Sequence, residues 1–203
     1  RPTTTTTAKP TTPTTVATSS PQFSDVSSST LYADSIYVLA AQGVVGGYSD
    51  GRFGPYDNVT RQQFAKMIIL ALDQQVSYVS ACSFKDVTTQ PSPNDPLYPA
   101  GYITACASAG ITVGKTPDTF GPYDKITRAQ LITMVSRAAS LGNAPSWYQT
   151  PFENFSATHY PWAARAAYAG LLDGYANMGA DFNFWALATR GEVCLLLANL
   201  IEL

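Results

Sequence analysis

The sequence predicts an all-α chain made of three divergent copies of one helix–loop–helix unit. Two observations carry that reading: a register of Gly, Phe and Thr-Arg positions that recurs three times, and apolar residues at helical spacing on both sides of a turn-rich loop. Gly43, Gly110 and Gly170 anchor the register, and Gly47, Gly114 and Gly174 follow each four residues later. Phe53, Phe120 and Phe182 come next, each seven residues before a Thr-Arg pair: Thr60-Arg61, Thr127-Arg128 and Thr189-Arg190. Ile36, Ile103 and Ala163 stand seven residues before the anchors. The starts read Phe23-Ser24-Asp25-Val26 and Phe84-Lys85-Asp86-Val87, then a weaker Phe155-Ser156-Ala157. The units span residues 23–73, 84–140 and 152–203, with connecting segments near 74–83 and 141–151.

Each element follows from local chemistry. In the first unit Tyr32, Ile36, Leu39 and Ala40 recur near helical spacing and predict a helix from Leu31 to Gln42, with Gly43 ending it. Residues 46–55 are dense in Gly, Ser, Asp and Pro and form a loop. Thr60 then opens a second helix whose apolar positions are Phe64, Met67, Ile68 and Leu72. Thr60-x-x-Gln63, Thr127-x-x-Gln130 and Thr189-x-x-Glu192 are capping boxes, in which the hydroxyl and the N3 side chain satisfy each other's free backbone N–H groups. The three Phe side chains belong in the core. Residues 1–22 are almost wholly Thr and Pro and cannot bury enough apolar surface to offset ordering, so they predict an extended linker with a further domain upstream. Arg1 leads into threonines rather than an apolar signal segment.

Composition removes several function classes. The chain has 203 residues with 12 Lys+Arg against 14 Asp+Glu, which excludes the basic face that nucleic acid needs. No stretch is apolar for the roughly 20 residues of a membrane span. Neither a Gly-x-Ser-x-Gly, a His-Glu-x-x-His nor a phosphate-binding loop occurs, and Asp25, Asp57, Asp86 and Asp124 recur as parts of the repeat rather than as an acid/base pair, so no enzyme is expected. No cofactor or metal is expected either: the lone His159 has no companion at ligand spacing. Of the three cysteines, Cys194 sits in an apolar helical run and reads as a buried hydrophobe. Cys82 and Cys106 both fall within the middle of the chain, and in an oxidising compartment a bridge between them would stabilise by about 3 kcal/mol.

The string Phe-x-Asp-Val, Gly-Val-Val-x-Gly-Tyr-x-Asp-Gly-x-Phe-x-Pro-x-Asp-x-Val-Thr-Arg-x-Gln resembles the S-layer homology family over residues 23–203, closely in the first unit, well in the second and weakly in the third. The resemblance implies a three-pronged spindle around a central helix bundle, on the bacterial cell wall or S-layer outside the cell. It implies a cell-wall polysaccharide as partner, often capped by pyruvate-ketal N-acetylmannosamine, and the Arg of the family's Thr-Arg-Ala-Glu motif as the main contact. That motif reads Thr60-Arg61-Gln62-Gln63, Thr127-Arg128-Ala129-Gln130 and Thr189-Arg190-Gly191-Glu192 here. An Arg in the first turn opposes the helix dipole, so its recurrence points to an anion; the alternative is an ion pair with Asp25, Asp86 or a similar acid that locks the repeat. Arg61 and Arg128 are expected to be the main contacts and Arg190 a weaker third, because the third unit loses the Asp-Gly loop and the early Asp. Asp25 and Asp86 stand with the arginines as candidate ligand-binding residues, and Tyr32, Tyr98 and Trp162 near the starts of the first helices fit sugar stacking or plain packing. The reading is therefore a non-catalytic surface anchor for an anionic secondary wall polysaccharide, with a protein–protein scaffold or S-layer self-assembly module as the alternative.

Overall fold

In a computed structural model residues 22–203 are described. The expected Thr/Pro linker therefore lies almost wholly outside the described residues. Six α-helices follow in order: α1 (Ala33–Ala41), α2 (Arg61–Ala71), α3 (Ala100–Ser108), α4 (Arg128–Ala138), α5 (Tyr160–Tyr168) and α6 (Arg190–Glu202). Among the described residues there is no strand, only isolated bridges.

The second helix of each pair starts as the sequence predicts. Thr60, Thr127 and Thr189 are the N-caps, each accepting from the N3 backbone N–H while the Gln63, Gln130 or Glu192 side chain accepts from the cap's own N–H. The first helices lack such boxes. Residue 32 ends the preceding turn in left-handed conformation, with φ 64° at Tyr32, so α1 begins at Ala33 rather than Leu31. Gly43, Gly110 and Gly170 all sit at φ between 70° and 79° just past the ends of α1, α3 and α5, the backbone that an L side chain resists.

Helices of one unit do not form a hairpin. The main contacts of α3 are with α2, those of α5 with α4, and those of α1 with α6, so each first helix packs on a second helix from the neighbouring unit. α6 also touches α2 and α4. The last helix thereby closes on the first, and Gly191 makes the approach possible: a Cβ there would lie 3.2 Å from the Tyr32 ring and 3.1 Å from the Pro55 carbonyl.

The connecting backbone closes a ring. Arg61, Arg128 and Arg190 donate their N–H groups to the carbonyls of Asp124, Ala186 and Asp57, each in the next unit. One layer deeper, Val59 donates to Ala188, Ala188 to Ile126 and Ile126 to Val59. The core around it holds Phe53, Phe64, Phe120, Ile68, Leu131, Ile132 and Leu196, all fully buried. Phe182 is buried too, so all three register phenylalanines are core residues.

The expected Cys82–Cys106 bridge is not formed, and all three cysteines are free. The reason is the face each occupies. Cys106 points into the α2–α3 contact, its thiol 3.6 Å from the Ala65 carbonyl, whereas Cys82 lies in the connecting segment and meets the Thr104 hydroxyl. Burial pushes the Cys106 and Cys194 thiols up to about 12. Cys194 is buried and reduced, as its apolar setting predicts.

Candidate ligand-binding clefts at the Thr-Arg helix starts

The three arginines share one architecture. Each is the first residue of its helix, and each guanidinium lies over the phenylalanine of the next unit: Arg61 over Phe120 at 4.6 Å, Arg128 over Phe182 at 5.0 Å and Arg190 over Phe53 at 4.3 Å. Arg61 Nε donates to the Phe120 carbonyl and Arg190 Nε to the Phe53 carbonyl. A planar, weakly hydrated cation suits this position better than an ammonium would, because it stacks and donates in the same plane. None of the three pairs with Asp25 or Asp86. Those carboxylates accept from the N–H groups of Phe53 and Gly54, and of Phe120 and Gly121, respectively. Desolvation raises both acids, but the backbone donors outweigh it and hold them below the usual carboxylate range. Asp25 and Asp86 therefore shape the loop that presents the phenylalanine carbonyl.

Beyond that common plan the three surroundings diverge. Arg190 lines a cleft of about 560 Å³ together with Gly46, Gln63, Lys66, Asp95 and Tyr98. Its Nη2 is held by the Gly46 carbonyl at 2.7 Å. Lys66 pairs with Asp95 at 2.6 Å, and partial burial of Asp95 is outweighed by the Lys66 and Leu97 donors and the Lys66 charge, which hold its carboxyl below the usual carboxylate range. Tyr98, a predicted stacking residue, is on this wall, with the Lys66 ammonium 5.9 Å from its ring.

Arg61 lines a smaller cleft of about 190 Å³ with Lys115, Gln130, Thr133, Arg137 and His159. Only 5% of Arg61 is exposed. Desolvation pulls its proton affinity down, opposed by the charges of Asp124 and Asp86. Residues of this wall include three cations and no carboxylate among the described residues, although Lys115 pairs with Asp124 beside it. His159 Nδ1 shares a hydrogen bond with the Thr133 hydroxyl, and burial followed by the Arg137 charge holds the imidazole below its ordinary value.

Arg128 has a partner already. Glu192 Oε1 accepts from Arg128 Nε at 3.0 Å and Nη2 at 2.6 Å, while its Oε2 accepts from the Thr189 N–H. Glu192 is the acid that replaces Gln63 and Gln130 at the N3 position. Tyr32 packs on the same side, its hydroxyl accepting from Ala176 N–H and its ring edge-on to Tyr175. Leu195 stands where the other units have Lys66 and Thr133. The third unit's divergence thus falls on the cleft of Arg128, and Arg190 faces the cleft of the first unit. Trp162 carries the guanidinium groups of both Arg137 and Arg165 over its ring and is on neither cleft wall.

Sequence reasoning misses Lys66, Arg137 and the pairing role of Glu192. Lys66 could be read as a polar residue three positions after Gln63 on the same helix face. Asp95 comes from a segment outside the repeated register and carries no signal. Among the described residues no group of His, Cys, Asp or Glu could hold a metal, and no helix is long and apolar enough to cross a membrane.

An all-helical ring of repeats with an arginine at each second-helix start defines a class of repeat-built helical domain. The family model described as S-layer homology domain matches residues 22–65 and 92–132, so the first two units carry that family's sequence, and S-layer proteins among the relatives indicate a place at the cell surface. It is 32% identical over 119 residues to an S-layer protein of Bacillus licheniformis, covering 59% of this chain and 13% of that protein. It is 29% identical over 124 residues to a cellulosome-anchoring protein of Acetivibrio thermocellus, covering 61% and 27%. An exoglucanase of the same organism is 30% identical over 180 residues, covering 83% and 15%. The chain thus spans a minor part of the length of each of these relatives.

Proposed function

We propose that the chain is a non-catalytic anchor that holds a longer secreted protein to the bacterial cell wall by binding an anionic secondary wall polysaccharide. The cleft beside Arg190 is the main site. Arg190 is held by two carbonyls, which leaves part of its fork for a carboxylate such as a pyruvate ketal, and Gln63 and the Tyr98 ring complete a wall suited to a sugar. The Arg61 cleft is a second, smaller site, and Arg128 is held by Glu192. The names of the relatives, an S-layer protein and a cellulosome-anchoring protein, support the anchoring role. The cyclic bonds between units support a three-pronged spindle built from residues 23–73, 84–140 and 152–203.

The single observation that carries this reading is the cationic, open cleft at Arg190 against the self-paired Arg128. Co-sedimentation with purified wall tests it. Binding should be strong on intact wall and lost after mild acid removes the non-peptidoglycan polymer. Equal binding to both preparations would sink the glycan reading.

A further inference from the structure

The three first helices differ in one row of side chains. Along α5, His159, Trp162, Arg165 and Tyr168 recur every third residue, so each neighbours the next and the row winds about half-way round the helix. The stripe is about 14 Å long at 1.5 Å per residue. The same register holds Tyr32, Ser35, Val38 and Ala41 at α1, and Pro99, Tyr102, Ala105 and Ser108 at α3, neither of which alternates rings with cations. Arg137 on α4 joins the stripe, where α2 and α6 have Leu70 and Asn199.

The stripe is electrostatically incomplete. The guanidinium groups of Arg137 and Arg165 lie 5.2 and 4.3 Å from the centre of one indole, Trp162, so two like charges share a ring. Neither has a carboxylate within salt-bridge distance among the described residues, and Arg165 donates only to the Asn143 side-chain carbonyl. Partial burial pulls Arg137 below its ordinary value. Gathering two cations on one ring is stabilised once an anion lies between them. Arg137 and His159 also line the Arg61 cleft, so the stripe begins inside that cleft. At its far end Tyr168 meets Trp147 edge-on at 6.1 Å and Tyr148 at 5.2 Å. Trp147 is 72% exposed and Tyr168 46%, which leaves apolar ring faces open to solvent next to a cation, the composition of a surface that stacks sugars bearing acidic groups.

We infer that the row of rings and guanidinium groups winding along α5 is a track for the interior sugars of an acidic polysaccharide whose end is held in the Arg61 cleft. Resting on the anchoring function proposed above, the track adds a preference for long chains over terminal fragments. The cleft recognises the end of the polymer, and the α5 rings and guanidinium groups bind residues further along it.

The test uses polysaccharide released from purified Bacillus licheniformis wall, separated into a long pool and a pool of two- to three-sugar fragments, and calorimetry on the whole chain. The parent should bind the long pool more tightly. In an Arg190→Ala background, which leaves the Arg61 cleft as the site read out, a variant combining Trp147→Ala, Arg165→Ala and Tyr168→Ala, all at least partly exposed, should keep its circular dichroism and lose about tenfold in affinity for the long pool, with the short pool unchanged. Unchanged binding of the long pool, or an equal loss on both pools, overturns the track. Sedimentation of the parent as a dimer that the variant converts to monomer also overturns it, because the rings then contact a second copy. Arg190→Ala in the same assay should weaken both pools; if it weakens neither while the track variant still loses the long pool, the main-site assignment fails and the track stands.

Discussion

Glu192→Gln restores to the third unit the residue that the first two units carry at the N3 position, and it should destabilise the protein. Glu192 is 5% exposed, and its two oxygens are fully used, Oε1 by two guanidinium donors and Oε2 by the Thr189 N–H. A glutamine has one acceptor and one donor in the same place. It can keep either the cap or the arginine, and the amide NH₂ then faces another donor. The loss is one charge-assisted interaction plus a misplaced donor, about 2 kcal/mol. Truncation to Ala strands the half-buried Arg128 as well and should cost about 3–5 kcal/mol. In a domain of this size about 2 kcal/mol lowers the melting temperature by roughly 4–8 °C. Thermal and urea unfolding should show that order, Ala below Gln below parent, and a double-mutant cycle with Arg128→Ala should return most of the Glu192→Ala loss as coupling. A Glu192→Gln protein as stable as the parent would refute the claim that this carboxylate holds α4 to α6.

Three further outcomes follow from the loops, the acids and the thiols. Gly114→Ala places a Cβ 2.5 Å from the Phe84 ring at φ 76°, whereas Gly174→Ala meets only Leu195 at 3.5 Å at the same φ; urea unfolding should show a loss of about 1–3 kcal/mol for Gly114→Ala and a smaller one for Gly174→Ala. Asp25 and Asp86 are held below their unfolded value, so their contribution is complete above about pH 4 and is lost as pH falls through the folded values. A pH series of unfolding midpoints should fall below about pH 4, and a combined Asp25→Asn and Asp86→Asn variant should flatten that limb. Alkylation of the native protein should label Cys82 and leave Cys106 and Cys194 until denaturant is added.

Much of the fold is legible because its signals are local. Thr60, Thr127 and Thr189 mark the starts of three helices by capping chemistry, and Gly43, Gly110 and Gly170 mark the ends of three others by a backbone that only glycine adopts without strain. Pairing of the helices is not legible. The spacing of Phe64, Met67 and Ile68 says that α2 buries a face but not that α3 covers it, since periodicity names no partner. The three arginines share one position in the register, and what surrounds each of them is not legible from it. Divergence of the third unit reads as a weakened Arg190, but each guanidinium acts on the next unit, so the altered surroundings belong to Arg128. The Glu at 192 is visible as a departure from Gln63 and Gln130, and its distance to Arg128 is not. The cysteine expectation fails for the same reason: two residues close together in the chain need not share a face.

The central claim is that the three arginines are unequal, with Arg190 open to ligand and Arg128 held by Glu192. Calorimetric titration of wall polysaccharide into Arg190→Ala and Arg128→Ala tests it directly, each protein being held well below its own melting temperature. Losing an arginine–carboxylate contact should cost about 1.5–3 kcal/mol, so Arg190→Ala should bind roughly tenfold to a hundredfold more weakly while Arg128→Ala stays within about twofold of the parent. A folded Arg190→Ala protein that binds like the parent, or an Arg128→Ala protein that loses affinity as strongly as Arg190→Ala was expected to, would contradict the account.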